Sequence, residues 1–182
     1  GGGKLEHALD RFAVSVSGRC CADVGSSTGG FTQCLLDRGA RRVYAIDVGT
    51  NQLHERLRAD PRVTVMERTN ARGLTASAFP ERPELAVMDV SFISGLKLLP
   101  ALGDILPPPG ELVCLVKPQF EAEPREVGRG GRVSGETSHR AVLTRWADGA
   151  RALGAALTHF TVSPVRGGKS ANLEYLARLL LS

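Results

Sequence analysis

Apolar positions along this chain follow two rhythms. In Lys4–Val14, Leu5, Ala8, Leu9 and Phe12 recur every three or four residues, which predicts a helix with one apolar face. Five short apolar runs predict strands: Cys20–Val24, Arg42–Asp47, Val63–Met66, Leu85–Asp89 and Leu112–Lys117. Helical spacing returns between them. Thr28–Arg38 ends at Gly39, Gln52–Ala59 is stopped by Asp60-Pro61, and Leu96–Leu106 runs into three prolines. Thr75–Phe79 reads as a short turn of helix. Residues 118–136 read as a long loop carrying glycines, followed by a helix over Ser138–Leu153. Ala156–Val162 and Leu173–Leu181 close the chain as two strands with no helix-length segment between them.

Strands that alternate with helices predict an α/β fold, a mostly parallel seven-stranded sheet with helices on both faces. The last two strands predict an antiparallel hairpin at one edge. The whole of 1–182 reads as a single domain. In such sheets the ligand sits beyond the C-terminal strand ends, where strand order reverses. The polar residues of interest fall there: Asp23 and Gly25 at the end of the first strand, Asp47 at the end of the second, Asn70 shortly after the third, Asp89 at the end of the fourth and Lys117 at the end of the fifth.

The turn Gly25-Ser26-Ser27-Thr28-Gly29-Gly30-Phe31 joins a strand to a helix, where backbone can approach a ligand. Its spacing is not G-x-G-x-x-G, so a pyrophosphate-binding dinucleotide loop fits poorly. Asp47 can accept hydrogen bonds from adenosine ribose hydroxyls, which NAD and S-adenosylmethionine share. The turn favours S-adenosylmethionine, with Asp23 and Asp89 on the side of its ammonium group. Alternatives are NAD or FAD, and a purely structural turn.

Composition narrows the partners. Apolar residues make up 42% and charged residues 23%, and no apolar run is long enough to span a bilayer. Cys20, Cys21, Cys34 and Cys114 form no C-x-x-C pair and read as buried thiols, which suits a cytoplasmic protein without a bound metal. His7, His54, His139 and His159 do not cluster. A net charge of +4 is compatible with nucleic acid. Only Lys4, Lys97, Lys117 and Lys169 of the 23 basic residues are lysine. Arginine cannot give up its proton, so each lysine in a motif is a candidate for chemistry.

A family resemblance runs from Gly1 to Ser182. Its blocks are Gly1–Leu5, the Asp23–Phe31 turn, Ala45–Leu53, Met66–Leu74, Met88–Ser94, Leu115–Glu121, Glu126–Gly131 and Asn172–Leu176. In that order they resemble the TlyA (hemolysin A) family of FtsJ-like ribosomal RNA 2′-O-methyltransferases. The resemblance implies a Rossmann-like fold and S-adenosylmethionine as cofactor. It also implies ribosomal RNA as partner, with a cytidine as target. A Lys-Asp-Lys-Glu tetrad falls on Lys4, Asp89, Lys117 and Glu174. Cofactor contacts fall on Gly25–Phe31, on Asp47 and Val48, and around Thr69 and Asn70. Family members usually carry an N-terminal S4 RNA-binding domain. Residues 1–3 then read as what remains of a linker, and a monomer is favoured. The chain departs from the family at Thr50 and Asn51, where an aromatic-glycine pair is common, and at Ala171, where glycine is.

The chemistry is consistent with that tetrad. A ribose 2′-hydroxyl must lose its proton as it attacks a methyl group, and free lysine, with a pKa near ~10.4, is a poor base at neutral pH. A neighbouring ammonium and desolvation favour the neutral amine, while carboxylates oppose it. Lys117 is the candidate base or hydroxyl-positioning group, Lys4 the neighbouring cation, and Asp89 and Glu174 orient the two amines. Taken singly, Lys4 and Glu174 read as ordinary surface charges. Arg125, Arg129 and Arg132 on the 118–136 loop suggest a mobile lid over RNA phosphates. A catalytically inactive RNA-binding protein and a membrane-acting hemolysin are the competing functions.

Overall fold

The computed structural model describes all 182 residues. Seven strands form one sheet: β1 (Cys20–Val24), β2 (Arg42–Ile46), β3 (Val63–Met66), β4 (Leu85–Met88), β5 (Gly110–Val116), β6 (Ala155–Val162) and β7 (Tyr175–Leu181). Their order is β3-β2-β1-β4-β5-β7-β6. The first five pair in parallel, and β7 runs antiparallel to both β5 and β6. The predicted edge hairpin is therefore present, with β7 as its inner strand.

Alternate side chains point to opposite faces, so the strands feed two cores, except β6 at the edge, which adds only Ala155 to one of them. Ala22 and Val24 of β1, Met88 of β4, Val116 of β5 and Tyr175 of β7 point to one face. There they meet α4 (Leu99–Ile105) and Trp146 of α6 (Glu136–Ala152). Cys21, Val87, Leu115 and Leu176 point to the other, against α1 (Gly2–Arg11) and α2 (Gly30–Asp37). Two short helices, α3 (Glu55–Arg58) and α5 (Pro118–Glu121), complete the set. All four cysteines are buried free thiols, and burial pushes those of Cys21 and Cys114 up to about 12. No helix is long and apolar enough to cross a membrane.

Three departures from expectation have physical reasons. Gly2 and Gly3 lie in the first turn of α1, ahead of the predicted start at Lys4. A Cβ on Gly30 would come 2.9 Å from the Gly2 amide nitrogen, so the two helix starts cross backbone to backbone. Helix α1 stops at Arg11, short of Val14, because Ala13 adopts φ 52° and turns the chain toward β1. The 118–136 segment is no featureless loop. It opens with α5 and contains single turns at Pro124–Glu126 and Arg129–Gly131. Glu126 pairs with Arg145 of α6, and the Val133 amide donates to Asn172 Oδ1 at 3.1 Å.

Candidate active site

Strand order reverses between β1 and β4, and a crevice of about 460 Å³ opens beyond their C-terminal ends. That volume is in the range of small-molecule sites. Its walls include Gly25, Ser27, Asp47, Val48, Thr69, Asn70, Asp89 and Phe92. Gly25, directly after β1, has φ 83°, and a Cβ there would lie 2.2 Å from the Asp89 carbonyl oxygen. Glycine is thus required for β1 and β4 to close the crevice floor.

Asp47 is fixed before any ligand arrives. Its Oδ2 accepts from the Ser27 amide at 2.7 Å and its Oδ1 from the Gly49 amide at 2.8 Å. Each carboxylate oxygen keeps a further lone pair for a ribose hydroxyl. Asn70 Oδ1 accepts from the Arg72 amide at 3.0 Å, which leaves its NH₂ group uncommitted at the crevice wall.

The remaining turn residues sit elsewhere. Ser26 is buried, Thr28 is exposed, and neither lines the crevice. Gly29, Gly30 and Phe31 belong to the start of α2, and Phe31 is part of the core beneath α1. Asp23 lies fully buried behind the crevice floor. Its Oδ2 accepts from Thr32 Oγ1 at 2.7 Å and its Oδ1 has no partner. Burial raises its carboxyl to about 7, against the Thr32 hydrogen bond, with Asp89 and Asp47 adding to the rise.

A second cluster lies at the ends of β5 and β7. Val116 pairs with Tyr175 in the antiparallel ladder, so the next pair along is Lys117 with Glu174. Alternation from Leu115 and Leu176 directs both side chains to the α1 face, where Lys4 arrives from the first turn of α1. Lys4 Nζ lies 2.8 Å from Glu174 Oε2, and both side chains are largely buried. Lys117 Nζ lies 2.6 Å from Asp89 Oδ1. This contact is a charge contact outside hydrogen-bond geometry; the hydrogen bond of Lys117 goes to Ser91 Oγ at 3.0 Å. The tetrad residues thus form two ion pairs. Asp89 belongs to both clusters, as it lines the crevice and pairs with Lys117.

Sequence reasoning missed the segment that follows Asp89. Val90, Ser91, Phe92 and Ile93 all line the crevice. Phe92 is 90% exposed at φ 64°, and its ring centroid lies 5.1 Å from that of Phe120. Lys117 Nζ stands 5.9 Å from the Phe120 ring. Glu121 anchors the same segment from α5, accepting from Ser94 Oγ at 2.5 Å and from the Gly95 amide at 2.9 Å. Burial raises its carboxyl against those two bonds. An apolar residue just past a strand end was the available sign of Phe92, but core packing explains most such residues.

Known proteins place this arrangement. The mycobacterial 16S/23S rRNA (cytidine-2′-O)-methyltransferase TlyA of Mycobacterium tuberculosis is 49% identical over 175 residues. The match takes in 96% of this chain and 65% of that protein, so this chain spans less than two thirds of its relative. The crystal structure of a Lactococcus lactis protein superposes with a TM-score of 0.95 at 44% identity, over 100% of this chain and 86% of that one. An S-adenosylmethionine dependent methyltransferase from Mesorhizobium loti shares only the fold, with a TM-score of 0.61 at 16% identity over 96% of each chain. The Rossmann-like architecture of such enzymes is therefore the one found here. The sequence profile of FtsJ-like methyltransferases matches residues 1–179, and with a strand-reversal crevice lined by Asp89, the partner of Lys117, this chain belongs to the FtsJ-like methyltransferase family.

Proposed function

We propose that this domain methylates the 2′-oxygen of a ribose in ribosomal RNA, at a cytidine, with S-adenosylmethionine as donor. The observation that carries the reading is the Lys117–Asp89 pair at the rim of the crevice, with the Lys4–Glu174 pair beside it across the β5–β7 ladder. The name of the mycobacterial relative supports the same substrate class.

The crevice fits the donor on three counts. Asp47 offers a fixed carboxylate for ribose hydroxyls, Gly25 keeps the floor clear, and Val24, Ile46, Val48 and Leu98 supply apolar wall. S-adenosylmethionine, when bound, supplies an electrophilic methyl group. Lys117 would hold the incoming 2′-hydroxyl and, in its neutral form with its own proton passed to Asp89 or solvent, would accept the hydroxyl proton as the methyl group passes from the sulfonium sulfur to the oxygen and the donor leaves as a neutral thioether. Lys4 faces the negative charge that grows on that oxygen, and Glu174 and Asp89 keep the two amines aimed. Phe92 and Phe120 form an aromatic ledge beside Lys117. A base stacked on such a ledge gains about 1–3 kcal/mol and would be held out of its own strand. Positioning of nucleophile and methyl group carries much of the rate, since correct orientation alone can lower a barrier by about 7–11 kcal/mol.

The test uses labelled S-adenosylmethionine, the protein and separated ribosomal subunits from a strain lacking the modification. Label should enter RNA at one nucleotide whose 3′ phosphodiester resists alkali, because a methylated 2′-oxygen cannot attack the phosphate. Label on a base, with alkali-sensitive linkage, would defeat the reading.

A further inference from the structure

We infer a phosphate-binding rim next to the tetrad that takes the RNA backbone beside the target nucleotide; the inference rests on the reading above. Two loops build it, residues 128–135 and 163–172. Asn172, only 2% exposed, ties them together. Its Oδ1 accepts from the Val133 amide at 3.1 Å, and its Nδ2 donates to the Gly131 carbonyl at 2.9 Å. A notch of about 380 Å³ lies between the loops, lined among others by Arg132, Arg166, His139 and Asn172.

Arg11, Arg56, Arg68 and Arg72 are exposed and without an acidic partner elsewhere on the surface, but this rim gathers four such cations on two neighbouring loops. Most arginines of the chain are paired with carboxylates, Arg125 with Glu123 among them. Arg129, Arg132, Arg166 and Lys169 are exposed and have no acidic partner. Unneutralised cations gathered on two neighbouring loops suit a polyanion, whose bound counterions they displace. Gly135 and Glu136 at the start of α6 line the same notch, no side chain caps that helix, and the Glu136 carboxylate is paired with Arg140.

Contact with the tetrad fixes the position of the rim. A Cβ on Gly167 would stand 1.8 Å from Glu174 Oε1, so the loop bearing Arg166 lies directly on the carboxylate that holds Lys4. A ribose offered to Lys117 and Lys4 therefore has its neighbouring phosphates within reach of Arg132 and Arg166. Of the three arginines proposed from sequence as a lid, Arg129 and Arg132 belong to this rim. The 163–172 loop supplies the other half.

The test measures binding of purified ribosomal RNA across about 50 to about 300 mM KCl. It compares the wild type with Arg132→Gln/Arg166→Gln/Lys169→Gln. A control variant, Arg11→Gln/Arg151→Gln, removes exposed charge elsewhere. Three lost single-strand phosphate contacts should lower the slope of log K against log salt by about 2. The KM for ribosomal subunits should rise at least about tenfold, with S-adenosylhomocysteine affinity and thermal midpoint near wild type. Overturning results are an unchanged slope and KM, or a loss no larger than that of the control. A wild type that binds RNA with a steep slope but transfers no methyl group defeats the functional reading and leaves the rim standing.

Discussion

The crevice and the tetrad corner are built in opposite ways. At the crevice, one glycine turn, one strand-end aspartate and backbone amides do most of the shaping, and Asp47 is held by Ser27 and Gly49 from nearby turns. The corner joins residues from the two ends of the chain, since Lys4 meets Glu174 across 170 positions. A site made from local backbone geometry can bind its ligand even when one distant side chain is lost. A site made from long-range ion pairs depends on the register of β5 against β7 and on the docking of α1. Donor binding and methyl transfer should therefore be separable by mutation.

The largest effect should follow Gly25→Ala, which attacks the crevice. The new methyl group would sit 2.2 Å from the Asp89 carbonyl oxygen, at a φ of 83° that alone costs about 1–2 kcal/mol. Because Asp89 belongs to both regions, donor binding and transfer should fall together. Calorimetric titration with S-adenosylhomocysteine should show affinity reduced at least about 100-fold, and the thermal midpoint should drop. Retained affinity would mean that the floor of the crevice can move.

Next in size is Gly167→Ala, which attacks the corner. The methyl group must displace the Glu174 carboxylate or the loop itself, loosening Lys4. We expect kcat to fall about 10- to 100-fold with donor affinity within about twofold, the range of a misplaced positioning group. Steady-state kinetics on ribosomal subunits reads both values. A parallel loss of donor binding would show that the two regions are not separable.

A smaller effect concerns Asp23, behind the crevice. Its folded carboxyl titrates at about 7, raised by burial, whereas an unfolded aspartate titrates near ~3.9. Between those values the folded protein holds a proton that the unfolded chain has lost. Stability therefore falls as pH rises from about 4 to about 7 and levels off above. Asp23→Asn keeps an acceptor for Thr32 and removes this loss. The variant should gain on the wild type progressively over that window, as read by thermal melts at matched pH. A constant difference across the window would show that Asp23 is ionised throughout.

The same contrast explains what could be read from the sequence. The five parallel strands were legible because each is a short apolar run closed by a polar residue at the ligand end. The edge hairpin was legible because the twelve residues between its strands hold no helical pattern. Asp47 and Gly25 were legible for the same local reason. The corner was not: nothing near Lys4 or Glu174 marks them, and only the family resemblance joined them to Asp89 and Lys117. Phe92 was hidden because its role depends on φ 64° and on Phe120, which lies on α5 beyond another strand. The 118–136 segment looked loose because its ties to Arg145 and Asn172 come from distant parts of the chain.

Lys117→Ala tests the central claim most directly, with donor affinity and single-turnover methyl transfer measured on the same preparation. Lys117 is not part of the crevice wall, and its loss leaves Asp47, Gly25 and Asn70 untouched. The account predicts S-adenosylhomocysteine affinity within about threefold of wild type and transfer to ribosomal RNA slowed by about 10²–10⁴, the usual worth of a general base. Transfer within about twofold of wild type would contradict it and remove Lys117 from the chemistry.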